Sequence, residues 1–509
     1  MTRQIRVLEG NTGILYLTDE TGKVERYVPD YDLDKARELL LEFQELKDAN
    51  GRRLKENYHA EGYNWYPAMV SFLYWYVFFQ YVKYRPLAEK VIDGSVEFEF
   101  ENRGNFRQLV SLLKYHPAMK GWKIRLFYFL VDVNNTMVVR KYPSRILFFR
   151  FAMDDFRSSE IRKALDELQV EYIQVVPPPR MKDVAKNLFR RGPYYFFGGI
   201  SRKSRFRCKY NLDNIGEYES FLFQRAIEKA ETSISGYIVE YDKHLRRLKS
   251  TQIRTFYGFD DCNGYVFPIL YACQQNGIRT VGHQHGAYVK RHAGYVMEGI
   301  NRKDYKWFDK IIVWGDYWKE HLLRISNVYS PDMLVVGSNK LSWNYSPSKA
   351  NHSKPTGILV PYEFASNSYK IGKFISKFLD LGYDVWFKPR SDEKLEDQLE
   401  AYCLSKEYLT KMRIVEKIDS AFMEKIDIVA GTMTTLVYEL LPYNKIVWIL
   451  DIEYKHLEDL VEGNYAYKVR YEDLGTLDES YFTRTEVNAD YFFSKESLKD
   501  TLLKHVLDH

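Results

Sequence analysis

The sequence predicts an α/β protein with two doubly wound parallel sheets, and three observations carry that prediction. From residue 145 onward, short apolar runs alternate with helical patterns, which is typical of strand–helix–strand units. The chain has 509 residues, too many for one compact core. Residues 341–355 are polar, lack periodicity and separate the alternation into two halves. We therefore expect two lobes joined by a linker.

The division of the chain follows from these changes of pattern. We predict an N-terminal α+β extension packed on the first lobe, then the first lobe, the linker and the second lobe, at residues 1–140, 141–340, 341–355 and 356–509. The extension should begin with a small β-hairpin region and continue with a polar helix, at residues 4–28 and 34–56. The last helix, residues 494–507, is expected to pack back across the first lobe.

Composition narrows the functional classes. The chain has 74 Lys and Arg against 69 Asp and Glu, and a net charge of +5 gives no general affinity for nucleic acid. The four cysteines form no CxxC pair, which favours a reducing compartment. The first residues lack the apolar stretch of a signal peptide. We therefore expect a cytoplasmic protein without a nucleic-acid partner.

Two segments are candidates for contact with the inner membrane surface. Residues 65–84 are the most apolar window and reach the length of a membrane span, but Pro67, Gln80 and several tyrosines favour a buried helix. Residues 180–209 contain ten Lys or Arg and one acid, interleaved with aromatic residues. Such a segment attracts anionic lipid headgroups or a phosphorylated acceptor, and a solvated loop and helix face is the alternative.

Residues 254–288 carry the first candidate site. They predict a strand that ends on Asp260 and Asp261, a helix, and a second strand that ends on His283 and His285. Ligands of open α/β sheets bind at the carboxyl ends of the strands. We therefore expect these acids and imidazoles to meet at one edge of the first sheet.

The preferred general base is His285. An imidazole has an ordinary pKa near neutrality and could take a proton from an acceptor hydroxyl as that oxygen attacks an anomeric carbon. His283 would face the same way on the strand. Asp260 or Asp261 would orient the imidazolium or act as the base, and the sequence does not choose between them.

Two alternatives remain for these histidines. They could tether neighbouring loops, or they could form a metal site together with His292. A metal site is disfavoured because no carboxylate or cysteine lies at a suitable ligand spacing. The chain also has no Walker A motif, no GxGxxG after the first strand of either lobe, and no DxD in a suitable context. We therefore expect neither a metal nor another cofactor.

Three predicted strand ends of the second lobe offer partners for a nucleotide-linked donor. The turn that starts at Gly431 would present backbone N–H groups, hydroxyls and a helix dipole to a phosphate. Lys388 and Arg390 would neutralise a leaving phosphate, and Glu363 or Glu439 would bind ribose hydroxyls. The hydroxyls of the turn belong to Thr432, Thr434 and Thr435.

Four short motifs resemble those of the GT-B glycosyltransferases, and more narrowly the bacterial surface-polysaccharide branch that includes CDP-glycerol glycerophosphotransferase-like and sialyltransferase-like enzymes. They are QHGAY at 284–288, VVGSN at 335–339, FKPR at 387–390 and GTMTTLVYELL at 431–441. The resemblance covers roughly residues 250 to 450. Lys388 stands where sialyltransferase-like relatives have a His or Lys before proline, and Thr replaces Ser in the phosphate turn.

The resemblance implies two Rossmann-like lobes facing a central cleft, with His285 in a catalytic role and Ser338 among the donor-binding residues. It further implies an inverting, metal-independent transferase that moves a sugar from a nucleotide donor to a growing bacterial glycan, such as capsule or lipopolysaccharide O-antigen, on a lipid-linked acceptor. The alternatives are a nucleotide-sugar 2-epimerase, a glycerophosphotransferase and a non-catalytic subunit of glycan assembly.

Overall fold

The computed structural model describes residues 3–10, 13–29, 31–114, 122–153, 155–177, 180–198, 204–338, 356–363, 368–390, 394–452, 456–484 and 486–507. The predicted linker, residues 341–355, lies outside the described residues. Its boundaries therefore stay a prediction.

The N-terminal extension contains a mixed sheet in the order β3-β2-β1-β6 and a two-stranded hairpin, β4-β5. Its strands are β1 (Arg3–Glu9), β2 (Leu15–Thr18), β3 (Val24–Tyr27), β4 (His59–Ala60), β5 (Tyr63–Asn64) and β6 (Val96–Phe100). Its helices are α1 (Leu33–Gln44), α2 (Pro67–Phe72), α3 (Phe79–Lys83), α4 (Arg85–Ile92), α5 (Asn105–Leu113) and α6 (Trp122–Lys141). The predicted hairpin is confirmed, because β2 pairs antiparallel with β3.

The polar helix predicted for residues 34–56 is shorter than expected. It ends at Gln44, because a turn follows in which the Asp48 carboxylate accepts hydrogen bonds from the amides of Asn50 and Arg52. Gly51 adopts a φ of 75°, which a glycine reaches without strain. The chain therefore turns at Asn50-Gly51 and does not continue as a helix to residue 56.

The apolar window 65–84 forms α2, a π-helical segment (Leu73–Phe78) and α3. Its side chains are buried or partly buried, except for that of Tyr76, which is 42% exposed. The window is therefore core, which removes it as a candidate for membrane contact. Within the described residues, no helix combines the length and hydropathy that a bilayer crossing needs.

The first lobe contains a sheet in the order β13-β12-β11-β10-β7-β8-β9, and all of its strand pairs are parallel. Its strands are β7 (Ile146–Phe149), β8 (Tyr172–Val176), β9 (Tyr194–Phe196), β10 (Thr255–Phe259), β11 (Arg279–His283), β12 (Lys310–Val313) and β13 (Leu334–Val336). Its helices are α7 (Ser159–Glu167), α8 (Met181–Arg190), α9 (Glu217–Leu248), α10 (Val266–Gln275), α11 (Ala293–Val296) and α12 (Asp316–Ile325).

The second lobe contains a parallel sheet in the order β16-β15-β14-β17-β18-β19. Its strands are β14 (Gly357–Pro361), β15 (Asp384–Lys388), β16 (Arg413–Ile414), β17 (Ile428–Gly431), β18 (Ile446–Leu450) and β19 (Tyr467–Val469). Its helices are α13 (Ser368–Asp380), α14 (Leu395–Ala401), α15 (Lys406–Lys411), α16 (Ser420–Met423), α17 (Thr435–Leu440), α18 (Glu458–Glu462), α19 (Ala489–Phe492) and α20 (Leu498–Leu502). The predicted fold class, two Rossmann-like α/β units with an N-terminal α+β extension, is confirmed.

The chain end contacts the first lobe. Thr501 Oγ1 accepts a hydrogen bond from the backbone N–H of Ser338 (2.8 Å), and Lys499 forms an ion pair with Glu167 (2.6 Å). The extension touches both lobes, because Arg37 pairs with Glu298 in the first lobe while the β2–β3 hairpin lies against α14 in the second.

Candidate active site

The first-lobe sheet reverses its strand order between β7 and β10. In open α/β sheets, ligands bind in the crevice that such a reversal creates at the carboxyl ends of the strands. Asp260 directly follows β10, and His285 comes two residues after β11, the strand beside β10. The structure therefore brings Asp260 and His285 to this crevice.

Asp260 holds the His285 ring through one nitrogen. His285 Nδ1 lies 3.2 Å from Asp260 Oδ1, and the Tyr288 hydroxyl donates to the other carboxylate oxygen. Burial raises the pKa of Asp260, while the contacts with His285 and Tyr288 lower it. With Nδ1–H donating to the carboxylate, Nε2 is the nitrogen that can accept a proton. Tyr295 Oη lies 3.3 Å from that Nε2.

Aromatic rings line the His285 imidazole. The ring centroids of Phe151 and Phe259 lie 5.1 and 5.5 Å from that of His285, and the His285 side chain keeps 19% of its surface exposed. The Arg157 guanidinium stacks on Phe151 at 3.9 Å from the ring centroid. Sequence reasoning missed Phe151, Arg157 and Tyr295. Phe151 follows β7, which becomes a neighbour of β10 only in the folded sheet.

His283 is placed differently from His285. It is buried, its Nδ1 lies 2.8 Å from the Tyr257 hydroxyl and its Nε2 lies 2.9 Å from the carbonyl oxygen of Ser338. β11 ends at His283, so the strand alternation that would have aligned the two rings does not continue to His285. This geometry gives His283 a structural role in place of the shared catalytic role that the sequence predicts.

The structure also distinguishes the two acids. The Asp261 carboxylate accepts hydrogen bonds from the side-chain amide of Asn263 (2.7 and 2.8 Å) and from the Tyr265 hydroxyl (2.9 Å). These contacts close the turn that leads into α10. Asp260, rather than Asp261, therefore faces the imidazole.

The second-lobe sheet reverses its strand order between β14 and β17. Glu363 lies at this reversal, two residues after the end of β14. Its buried carboxylate accepts hydrogen bonds from the backbone N–H of Thr432 (2.5 Å) and of Met433 (3.0 Å), and from the Thr432 hydroxyl. Burial raises the pKa of Glu363, and these hydrogen bonds oppose the rise. A side chain at Gly431 would come within 2.8 Å of the same carboxylate.

This arrangement differs from the prediction for the second lobe. The backbone N–H groups expected to bind a phosphate already bind Glu363, and the Thr432 hydroxyl does so too. A buried carboxylate with these partners does not fit the ribose-binding role predicted for Glu363. Glu439, on the partly exposed side of α17, is the remaining acid predicted for that role.

The other predicted donor-binding residues occupy two places. Lys388 is half-buried at the end of β15, its ammonium donates to the Pro389 carbonyl (2.8 Å), and burial lowers its pKa. Arg390 is exposed, and its backbone N–H and C=O are both held by the Gln398 side chain. Ser338 is buried, its backbone N–H donates to Thr501 of the chain end, and its carbonyl oxygen lies 2.9 Å from Nε2 of His283.

The two crevices meet at a direct contact. The backbone N–H of Ala287 donates to Oγ1 of Thr435 at 3.2 Å, which joins the turn after His285 to the first residue of α17. Thr434 caps this helix by accepting a hydrogen bond from the amide of Leu436. The predicted base and the predicted phosphate-binding turn therefore lie on adjoining loops of the two lobes.

A second junction lies beyond this turn. Arg291 forms ion pairs with Asp34 of the extension and with Glu458 of the second lobe. The ring of His292 packs against Tyr295 and Trp75, and burial lowers its pKa to about 4. Within the described part of the chain, no three His, Cys, Asp or Glu side chains are close enough to hold a metal ion.

No protein-family model and no curated protein matches the chain. Among solved structures, it is similar to Acinetobacter baumannii MurG at 11% identity and a TM-score of 0.37, over 66% of this chain and 88% of that one. It is also similar to the Methanocaldococcus jannaschii UDP-GlcNAc 2-epimerase, at 12% identity and a TM-score of 0.38, over 70% of this chain and 98% of that one. A third similar structure is the lipopolysaccharide outer core galactosyltransferase WaaB, at 10% identity and a TM-score of 0.34, over 66% of this chain and 96% of that one. The fold described above rests on the strand pairing of this chain itself.

Proposed function

We propose that this protein is a glycosyltransferase that moves a sugar from a nucleotide-activated donor to a hydroxyl of a growing bacterial surface glycan. The hydrogen bond from Ala287 to Thr435 is the observation that carries the proposal. It joins the loop that bears His285, whose ring pairs with Asp260 on the neighbouring loop, to the first residue of α17. Lys388 lies at the end of β15 in the same sheet as the strand that precedes α17. A crevice between two parallel sheets is a common place for a nucleotide and a second substrate to meet.

The reaction follows from the orientation of His285. Its Nε2 takes the proton of an acceptor hydroxyl as the hydroxyl oxygen attacks the anomeric carbon, which forms the new glycosidic bond. The bond between that carbon and the phosphate oxygen breaks, and the nucleotide leaves with the bonding electrons. A single displacement of this kind inverts the anomeric configuration. Asp260, hydrogen-bonded through Nδ1, stabilises the imidazolium.

The second lobe holds the donor in this proposal. Lys388 and Arg390 offset the charge of the leaving phosphate, so the proposed reaction requires no metal. Thr434 and Thr435 accept hydrogen bonds from backbone amides, and each hydroxyl keeps its own proton to donate to a phosphate oxygen. Glu363 keeps the turn in one shape by binding its backbone N–H groups.

The acceptor in this proposal is a lipid-linked glycan, and the protein acts in the bacterial cytoplasm at the inner face of the membrane. The support is the cationic, aromatic character of residues 180–209, of which 199–203 lie outside the described residues. Within this segment Phe189 is 85% exposed, whereas the side chains of β9 are mostly buried.

A donor panel tests the proposal. The purified protein is incubated with UDP-, CDP-, GDP- and CMP-linked sugars, and free nucleotide and free sugar are quantified. We expect slow release of both from one donor, because water replaces the missing acceptor, and we expect the His285→Ala variant to lose this release. Interconversion of two sugars without nucleotide release would indicate an epimerase instead. Transfer of a polyol phosphate from a CDP-linked donor would indicate a glycerophosphotransferase. No turnover and no thermal stabilisation by any nucleotide would indicate a non-catalytic subunit.

A further inference from the structure

Two neighbouring helices, α6 of the extension and α8 of the first lobe, share a core. Val131 of α6 and Val184 of α8 pack together in a small apolar cluster. The Asn187 side chain donates a hydrogen bond to the Asn134 carbonyl oxygen (2.7 Å). Near their ends, the Lys141 ammonium donates to the carbonyl oxygen of Arg191 (2.9 Å). The helices therefore lie side by side and run in the same direction.

The outer face of α6 is apolar and exposed. Leu126 is 40% exposed, Phe129 is 62% exposed and Met137 is 39% exposed. At 3.6 residues per turn these three positions fall within an arc of about 80°. Arg140, also exposed, continues the same stripe toward the helix end. The acid of this helix, Asp132, is neutralised by ion pairs with Lys243 and Arg247.

The outer face of α8 combines apolar and cationic side chains. Phe189 is 85% exposed, and Met181, two turns earlier, is also exposed. Measured around the helix from Met181, Phe189 lies at about 80°, and the exposed Lys182, Lys186 and Arg190 lie at about 100°, 140° and 180°. The apolar strip of α8 is thus bordered by a row of three cations.

We propose that the outer faces of α6 and α8 together dock on an anionic lipid bilayer. Single exposed apolar residues are common, but this surface gathers them on two adjacent helices. The bordering cations select a negatively charged partner, and an amphipathic helix with aromatic residues between cations suits the lipid–water interface. The inference rests on the proposed function in one respect, since it identifies the surface that brings the lipid-linked acceptor within reach.

The α6 part of this surface has no counterpart in the sequence prediction. The sequence indicates residues 65–84 and 180–209 for membrane contact, and the structure buries the first of these segments. α6 contributes instead, because its inward face covers β9 and Phe129 on its outward face is 62% exposed. The two segments that form the surface are separated in the chain and meet only in the fold.

Sedimentation with lipid vesicles tests the proposal. The full chain is mixed with vesicles of phosphatidylcholine containing roughly one-third phosphatidylglycerol, and with vesicles of phosphatidylcholine alone. We expect binding to the anionic vesicles that weakens as salt is raised, and much weaker binding to the neutral ones. Phe129→Ser combined with Phe189→Ser should lower the partition coefficient at least about tenfold. Lys182→Gln, Lys186→Gln and Arg190→Gln combined should lower it about a hundredfold.

The matched control is Val24→Ser combined with Leu381→Ser, which removes two exposed apolar side chains, one at β3 of the extension and one after α13 of the second lobe. This control should bind vesicles as the unaltered protein does, and all variants should keep its melting temperature. Failure of the unaltered protein to bind anionic vesicles would overturn the proposal. An equal loss of vesicle binding in the control variant would also overturn it. A third contradicting result would be a dimer that forms without lipid and that dissociates only in the Phe129 and Phe189 variant. Nucleotide release measured without vesicles reports on the proposed function separately.

Discussion

In each sheet, a buried carboxylate lies where the strand order reverses. The two carboxylates have different hydrogen-bond partners. Asp260 follows β10 of the first lobe and binds the His285 imidazole and the Tyr288 hydroxyl. Glu363 follows β14 of the second lobe and binds two backbone N–H groups and the Thr432 hydroxyl. Burial raises the pKa of both acids, and the hydrogen bonds that each accepts act in the opposite direction.

The difference in partners gives the two carboxylates different capacities: one can support proton transfer, and the other can hold a turn. An imidazole can gain and lose a proton near neutral pH, so a carboxylate beside it can support general base chemistry. Backbone N–H groups cannot change charge, so a carboxylate bound to them fixes the shape of a turn. In the proposed function, a buried carboxylate therefore supports proton transfer in the first lobe, while in the second lobe it holds a turn.

The largest effect is expected when His285, the titratable partner of Asp260, is removed. His285→Ala should lower nucleotide release or sugar transfer by about a thousandfold, because the proposed general base is lost. Nucleotide affinity, measured by calorimetry, should stay unchanged, since the residues proposed to bind the phosphate lie on the other lobe. His59→Ala, at an exposed position, is the control. A near-normal rate in the His285 variant would show that the base lies elsewhere.

A second histidine, His292, should remain neutral in the folded protein, in contrast to the proposed general base His285. Burial lowers the pKa of His292 to about 4 from an ordinary value of 6.5, so the unfolded chain binds a proton in this range and the folded chain does not. The free energy of unfolding should therefore fall by about 3 kcal/mol as the pH drops from 6.5 to 4. His456, with a pKa lowered to about 3, acts in the same direction.

Urea unfolding at a series of pH values checks this expectation. In the His292→Phe variant the ring keeps its packing against Trp75 and loses the titrating group, so the decline should be shallower. A decline as steep as that of the unaltered protein would assign it to other groups.

Removing the carboxylate of the second lobe should have a smaller effect. Glu363→Gln places an amide N–H₂ group against backbone N–H donors, and we expect a loss of about 1–3 kcal/mol in the free energy of unfolding. The sugar transfer rate should fall as the turn loses its shape. Higher nucleotide affinity in this variant would contradict the account, because it would show that Glu363 blocks a phosphate site on the same N–H groups.

A cation at the second-lobe edge should affect mainly donor binding. Lys388→Met should raise the donor KM by about tenfold, because the charge contacts the phosphate in the ground state, and should lower kcat by a smaller factor, because the same charge offsets the leaving phosphate. Lys394→Met, at an exposed position nearby in the chain, serves as the control. A change in kcat with an unaltered KM would point to a role in the chemical step instead.

The smallest expected effect concerns the contact between the lobes. Thr435→Val keeps the shape of the side chain and removes both the acceptor of the Ala287 N–H and the hydroxyl that is proposed to donate to the donor phosphate. We expect a loss of about 1 kcal/mol, measured as a severalfold lower transfer rate. An effect on stability alone would indicate that the contact holds the lobes together without aligning the site.

The sequence predicts the fold class well, because buried parallel strands are continuous apolar runs that need no long-range information. Helix α9 escapes prediction, since its buried face includes small residues such as Ala226, Ala230 and Ser235. The pairing of Asp260 with His285 is predictable because their strands are neighbours in the chain and in the sheet. The contact of Glu363 with Thr432 depends on the pairing of β14 with β17, which no local pattern reveals.

The central claim is that the two lobes form one site, and a crystal structure with a bound nucleoside diphosphate tests it most directly. The account predicts phosphate oxygens in contact with Lys388 or Arg390 and with Thr435, on the side of the crevice that faces Nε2 of His285. A nucleotide bound elsewhere would contradict it, for example in the cavity of about 590 Å³ between the extension and α14 that Arg26 and Cys403 line.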